Sequence, residues 1–278
     1  MHLSNSTRCS PNRARPWLWA NLLSIDAPIV AVLWQQLFIR TLHVPATKAS
    51  AITLAATVWL IYASDRVLDA IKVTGHSARH RFYRQHWRTV IPALLAALLL
   101  SAWSAFTGIR KPVLHNGIAM LVIVILYFAA VHIAPQFTQR WWPKELVVAI
   151  IFSAGSCIQV WTFAPHPAWV WTMPLVLFGI LCWVNCAAIA YWEAGASHPS
   201  TQWIGTHLSL VSAVIAAVAI LLAGLNYFPP IRPLYLSEGV SAIGFLLLAR
   251  LSSNISHDGL RVAADAVLCS PLLFLPFV

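Results

Sequence analysis

Asp65 and Asp69 stand four residues apart in the stretch IYASDRVLDA, residues 61–70, where one of the most apolar runs of the chain gives way to one of its most basic. Positions four apart share a helical face, so the two carboxyls point the same way, about 6 Å from each other. Two carboxylates that close repel, and the pair requires a cation between them, a neighbouring base such as Arg66, or a proton on one of them. Mg²⁺ commonly takes one or two protein carboxylates and completes its octahedron with water and substrate phosphate oxygens. The loop that follows, IKVTGHSARHRFYRQHWR, holds Lys72, Arg79, Arg81, Arg84 and Arg88 among His76, His80 and His86. Planar guanidinium groups bind phosphate oxygens bidentately. Carboxylates, a metal and arginines together describe a diphosphate site. The plain alternatives are a solvated helix end with an intrahelical ion pair, and a loop made basic by the side of the membrane it occupies.

A second polar stripe lies in VNCAAIAYWEAGAS, where Asn185, Ile189 and Glu193 repeat the four-and-four spacing of Ile61, Asp65 and Asp69. The chain has only eight acids, so each matters. Asp26, in LLSIDAPIVAVLW, falls inside an apolar run, where a charged acid at the bilayer centre costs on the order of 3 kcal/mol and is a functional candidate by default. Glu238 and Asp265 are expected to be satisfied by polar neighbours or interfacial water.

The elements that must position these groups follow from composition. The chain is 59% hydrophobic and 9% charged, with 14 Trp, against roughly 25% charged residues in a soluble domain. This predicts an all-α polytopic membrane protein. Runs of roughly 20 apolar residues, enough to cross about 30 Å of hydrocarbon, give nine expected spans: 17–39, 46–64, 89–108, 112–133, 146–164, 169–192, 204–226, 233–251 and 260–278. A basic leader over 1–16 precedes a single transmembrane domain over 17–278. The first span is longer than a signal-peptide core and lacks a small-residue cleavage pattern, so it reads as retained.

Lys and Arg collect on the cytoplasmic side of short loops. With the N-terminus inside, thirteen of the 18 fall on that side, and both polar stripes end there. The net charge of +10 therefore reflects topology, and no nucleic-acid partner is expected, since DNA-binding patches come on polar soluble folds. The five cysteines have no metal-site spacing. The stripes would converge over one pocket with a basic mouth and apolar walls, in a cytoplasmic (inner) membrane.

These residues resemble the UbiA superfamily of intramembrane prenyltransferases. DRVLDA is similar to the DRxxDA core of the family's first acidic motif, SARHRF stands where the family has an Arg-Thr…Arg-Pro run, and APQFTQRWWPKELVVAIIFSAG is similar to its segment between the fourth and fifth helices. The chain departs from the pattern at Ile61, which takes the place of an Asn, at Ile189, which replaces the central acid of the second motif, and at Glu193, which replaces its last Asp. The resemblance implies about nine helices bundled around a central apolar cavity, and Mg²⁺-dependent transfer of a prenyl group from a prenyl diphosphate to a lipophilic, aromatic acceptor. It implies Asp65, Asp69, Asn185 and Glu193 as catalytic residues, with Asp65, Asp69 and Glu193 on the metal. Arg66, Lys72, Arg79, Arg81, Lys144, Asp26 and Tyr62 then bind substrate. Asp26 would contact the acceptor or cap a helix broken at Pro28. Faces of Trp59, Tyr62, Tyr191 and Trp192 would stabilise an allylic cation, or serve as packing and interface residues.

Two alternatives use the same residues. Ile61 and Ile189 favour a non-catalytic isoprenoid- or lipid-binding protein with degenerate metal motifs. His115, His132 and His207, with Asp26, would serve a proton-coupled transporter if they clustered along one channel.

Overall fold

The computed structural model describes residues 19–72, 83, 85–133, 143–163, 167–194, 198–225 and 229–278, with the backbone alone for 69–72, 132, 194 and 229. Among these residues every regular element is helical and no strand occurs. In hydrocarbon a helix satisfies its own backbone groups, which is why long apolar runs adopt it. The α-helices are α1 (Trp19–Leu22), α2 (Asp26–Thr41), α3 (Lys48–Lys72), α4 (Trp87–Gly108), α5 (Lys111–Ile133), α6 (Lys144–Ser156), α7 (Ile158–Thr162), α8 (Trp169–Ala194), α9 (Pro199–Thr206), α10 (Leu208–Gly224), α11 (Arg232–Leu251) and α12 (His257–Val267), the last followed by 3-10 turns at Ser270–Leu273 and Leu275–Phe277.

Five of these, α3, α4, α5, α8 and α11, are long and apolar enough to cross a membrane. The pair α9–α10, bent by 78°, and α12 with its 3-10 turns, bent by 46°, raise the number to seven if each counts as one span. The chain is thus a helical protein with several segments long and apolar enough to cross a membrane.

Four of the expected spans are interrupted, each for a legible reason. Between α1 and α2 the chain turns through Ser24, which has a positive φ of 55°, and Asn21 reaches across the turn to Asp26. At the end of α6, Ser153 and Ser156 bond back to the carbonyls of Ile150 and Phe152, and the helix breaks at Cys157. Such back-bonding competes with the helix ladder. Thr206 and His207 do the same to Trp203 where α9 meets α10. Beyond α12, Pro271 has no N–H to continue an α-helix.

Half of the most apolar window of α8 and of α11 is buried, against 11% for α3, α4 and α5. The first two are central and the others present large apolar faces, as helices facing lipid do. The core forms where Trp34 of α2 stacks on Phe178 of α8, ring centroids 4.3 Å apart, while its indole N–H donates to the Leu268 carbonyl at 2.9 Å. The Ser270 hydroxyl bonds those of Ser237 and Ser241 and docks the C-terminal turns on α11. Helices α3 and α4 are clasped by Thr53–Ser104 at 2.6 Å and Thr57–Ser101 at 2.7 Å, the small-residue, hydroxyl-bonded packing that suits apolar surroundings.

Candidate functional site

Several polar side chains of the bundle meet in one neighbourhood. Asp26 opens α2, Asn185 and Glu193 lie in the C-terminal half of α8, Tyr62 and Arg66 in the C-terminal half of α3, and α12 runs between them with Arg261 and Asp265 one turn apart. Asn185, 8% exposed, donates from Nδ2 to Asp265 Oδ1 at 3.0 Å. Asn21 donates to Asp26 Oδ2 at 2.7 Å and to Asp265 Oδ2 at 3.5 Å, so one amide bridges two carboxyls. One turn back along α12, Arg261 pairs with Glu193. The second stripe is therefore answered residue by residue from the last helix.

The helix that carries the first stripe adjoins this network through Tyr62. Tyr62 lies close enough to Cys182, Cys186, Asp265 and Arg66 to interact electrostatically, and its ring stands edge-on to Phe152 at 6.4 Å. Cys186 is within the same reach of Arg66, Asp265 and Glu145. Asp65 and Glu145 both lie within electrostatic reach of the Tyr127 phenol. Buried Glu145, at the start of α6, also accepts from the Thr201 hydroxyl at 3.1 Å. Tyr83, from the segment that follows α3, folds back on Ala63 and Val90 and bonds Ser24 at 3.0 Å.

The structure thus joins Asp26, Tyr62, Arg66, Asn185 and Glu193 of the expected site into one neighbourhood, with Asp65 near its α5 side. Ile61 is half-buried, and Ile189 packs against the main core. Lys144 is exposed at the first turn of α6. The side chains of Asp69 and Lys72, and Arg79 and Arg81 altogether, lie outside the described residues. No group of three or more His, Cys, Asp or Glu that could hold a metal occurs among the described residues.

The sequence did not point to Asn21, Glu145 or Arg261. A signal existed for the last: Arg261 and Asp265 are a basic and an acidic residue four apart in an otherwise apolar segment, which places both on one face. Asp265 is satisfied by polar neighbours, as expected. Glu238 is not: it is fully buried in α11, and neither carboxyl oxygen has a hydrogen-bond partner among the described residues.

Of the aromatic candidates, Trp59 donates its indole N–H to the Leu23 carbonyl at 2.9 Å, Tyr191 packs closely against Gly205, and Trp192 packs on the core. His115 is exposed on α5, and His207 stacks on Trp203. The hydrogen bonds of Asp26 run to Asn21 and the Ala27 N–H, not to a histidine.

No family model matches the chain, and neither the curated proteins nor the solved structures yield a match.

Proposed function

We propose that the chain is a UbiA-like membrane prenyltransferase, which transfers a prenyl group from a prenyl diphosphate to a lipophilic, aromatic acceptor. The observation that carries this reading is the approach of α3 to α8 beside the first stripe: Tyr62 comes within electrostatic reach of Cys186 and Asp265, Arg66 within reach of Cys186, and Asp265 is bonded to Asn185 of the second stripe. In the reading, nine crossings surround a central apolar cavity in the cytoplasmic membrane, with the N-terminus and the motif ends inside. The interrupted helices are then broken crossings, tolerated where neighbouring helices satisfy the freed backbone groups.

Asp65 and Asp69 fit Mg²⁺, since both offer hard oxygens from one helix face. Glu193 does not fit a second metal, because Arg261 occupies its carboxylate. When bound, Mg²⁺ supplies positive charge to the departing diphosphate. Arg66, Lys72, Arg79, Arg81 and Lys144 bind the phosphate oxygens, while the Arg261–Glu193 pair is neutral overall. Tyr62 stands over the reacting end of the prenyl group, and Asp26 orients the acceptor. The apolar walls exclude water from an allylic cation.

Diphosphate release by the purified protein in detergent tests this, with geranyl, farnesyl and geranylgeranyl diphosphates, with and without Mg²⁺. The expected result is Mg²⁺-dependent release that is lost in Asp65→Ala and in Asp69→Ala while both variants remain folded. Full release by both variants removes these residues from the site. A second reading, the non-catalytic isoprenoid binder, is favoured by Ile61, by Ile189 and by the commitment of Glu193 to Arg261. It predicts that the diphosphates bind and are never cleaved.

A further inference from the structure

Glu238 is fully buried on α11, and neither of its carboxyl oxygens has a hydrogen-bond partner among the described residues. The groups within its electrostatic reach there are a thiol and a phenol, those of Cys157 and Tyr235, and no base acts on it. An isolated carboxylate out of water is far more costly than a neutral polar group, so this one carries a cation or a proton.

Its surroundings favour a cation. Cys157 marks the break between α6 and α7, and Ser156, Cys157 and Gln159 are at most 2% exposed, so the break lies inside the protein. The end of a helix leaves carbonyls without intrahelical partners and bears the negative end of its dipole. Unwound carbonyls and half-helix C-terminal ends are the groups with which broken membrane helices coordinate Na⁺. Just past the break, Gln159 accepts from Gln35 Nε2 at 3.1 Å, and the other end of that amide, Gln35 Oε1, is buried with no partner among the described residues. The unanswered oxygens of Glu238 and Gln35 are thus all acceptors. Glu238 stands six residues after the start of α11, Gln35 six before the end of α2, and Cys157 five before the end of α7. In the topology of the proposed reading those three helix ends share the outer side, which puts all three residues at one depth, about 9 Å in at 1.5 Å per residue. We propose that Glu238, the Gln35 side-chain oxygen and the carbonyls at the α6–α7 break hold one Na⁺ ion.

Charge sets the ion. One carboxylate among neutral oxygens cancels a single positive charge, so a monovalent ion leaves no net charge in the apolar interior, and a divalent ion does not. No three of His, Cys, Asp or Glu converge among the described residues, which argues against a transition metal. A proton answers the carboxyl alone and leaves the Gln35 oxygen buried without a donor, which is unfavourable. The close packing of Gln35 and Glu238, both among the fully buried side chains, suits Na⁺ over the larger K⁺.

Equilibrium binding of radioactive Na⁺ to the purified full chain in detergent tests this, with choline chloride holding the ionic strength and EDTA removing divalent ions. One saturable site per chain is expected, together with a thermal unfolding transition that rises with NaCl and not with choline chloride. Glu238→Gln is expected to weaken binding at least about 100-fold, since even outer-shell partners of metal ligands are worth 10- to 100-fold. It also removes the Na⁺ dependence of the melt, and in Na⁺-free buffer it melts no lower than the wild type, because the carboxyl then has nothing to answer it. Gln35→Leu is expected to weaken binding at least about 10-fold. Should Glu238→Gln not fold, binding by the wild type and by Gln35→Leu decides. The proposal is overturned if the wild type shows no saturable Na⁺ binding, in which case a proton holds the carboxyl. It is equally overturned if binding survives Glu238→Gln or Gln35→Leu unchanged, or if K⁺ displaces Na⁺ more strongly than unlabelled Na⁺ does. Diphosphate release is not read in these titrations, so their failure leaves the prenyltransferase reading standing, and the converse also holds.

Discussion

Removing the Glu193 carboxylate is expected to harm the protein more than removing its partner, Arg261. The asymmetry follows from burial: the Arg261 side chain is 6% exposed and that of Glu193 is 34% exposed. Glu193→Gln strips the carboxylate from a guanidinium that stays buried. Arg261→Met places an apolar chain of similar length in the same slot and leaves a carboxylate that reaches water. Breaking one side of a buried pair costs about 3–5 kcal/mol. With a third of Glu193 already in water, about 2 kcal/mol is the better figure for Glu193→Gln, and about 1 kcal/mol or less for Arg261→Met. Thermal unfolding in detergent, followed by the fluorescence of the 14 tryptophans, reads the difference. On the scale of soluble domains, 2 kcal/mol corresponds to roughly 4–8 °C. The double variant Glu193→Gln/Arg261→Met is expected to recover most of that loss, since a neutral amide then faces a neutral chain. If Arg261→Met lowers the transition as far as Glu193→Gln does, or if the double variant is no better than the worse single one, burial does not govern the pair and the reasoning fails.

At the α3–α4 crossing, a Cβ on Gly108 would collide with the Ala49 Cβ. Gly108→Ala is expected to cost about 1–3 kcal/mol of stability, and Ala49→Gly to relieve it; a melt unmoved by Gly108→Ala, or unmoved by the second change, contradicts this close approach. Glu238 is fully buried with no hydrogen-bond partner for its carboxyl among the described residues. Glu238→Met is therefore expected to raise the unfolding temperature, by an amount corresponding to about 1–3 kcal/mol. A lower transition would show that the carboxyl has a role in the folded protein that outweighs its burial.

The helical class and both polar stripes were legible in the sequence because they depend on local spacing alone. Asp65 and Asp69 on α3, and Asn185 and Glu193 on α8, share their faces by the period of the helix, whatever surrounds them. The interruptions were not legible, because hydropathy averages over them. Ser153 and Ser156 lower the mean of their run only slightly, yet their hydroxyls compete for the carbonyls that would carry the helix past Cys157. The turn at Ser24 likewise hides inside a run that reads as one span. What joins the stripes lies beyond the reach of local pattern: Asp265 is 80 residues from Asn185 and 244 from Asn21. Nothing in VNCAAIAYWEAGAS announces that its polar groups are completed by the last helix.

The perpendicular set of α9 has a consequence for the surrounding lipid. If the bent pair α9–α10 makes one crossing, a helix set 78° from its successor contributes little to it, and the span is left to the 17 residues of α10. That is about 26 Å of helix, short of a hydrocarbon core of about 30 Å. A short crossing draws the two leaflets together locally, at a fraction of a kcal/mol for each ångström of mismatch. Such a crossing would favour thinner membranes, and short acyl chains would then be the natural choice for reconstituting the protein.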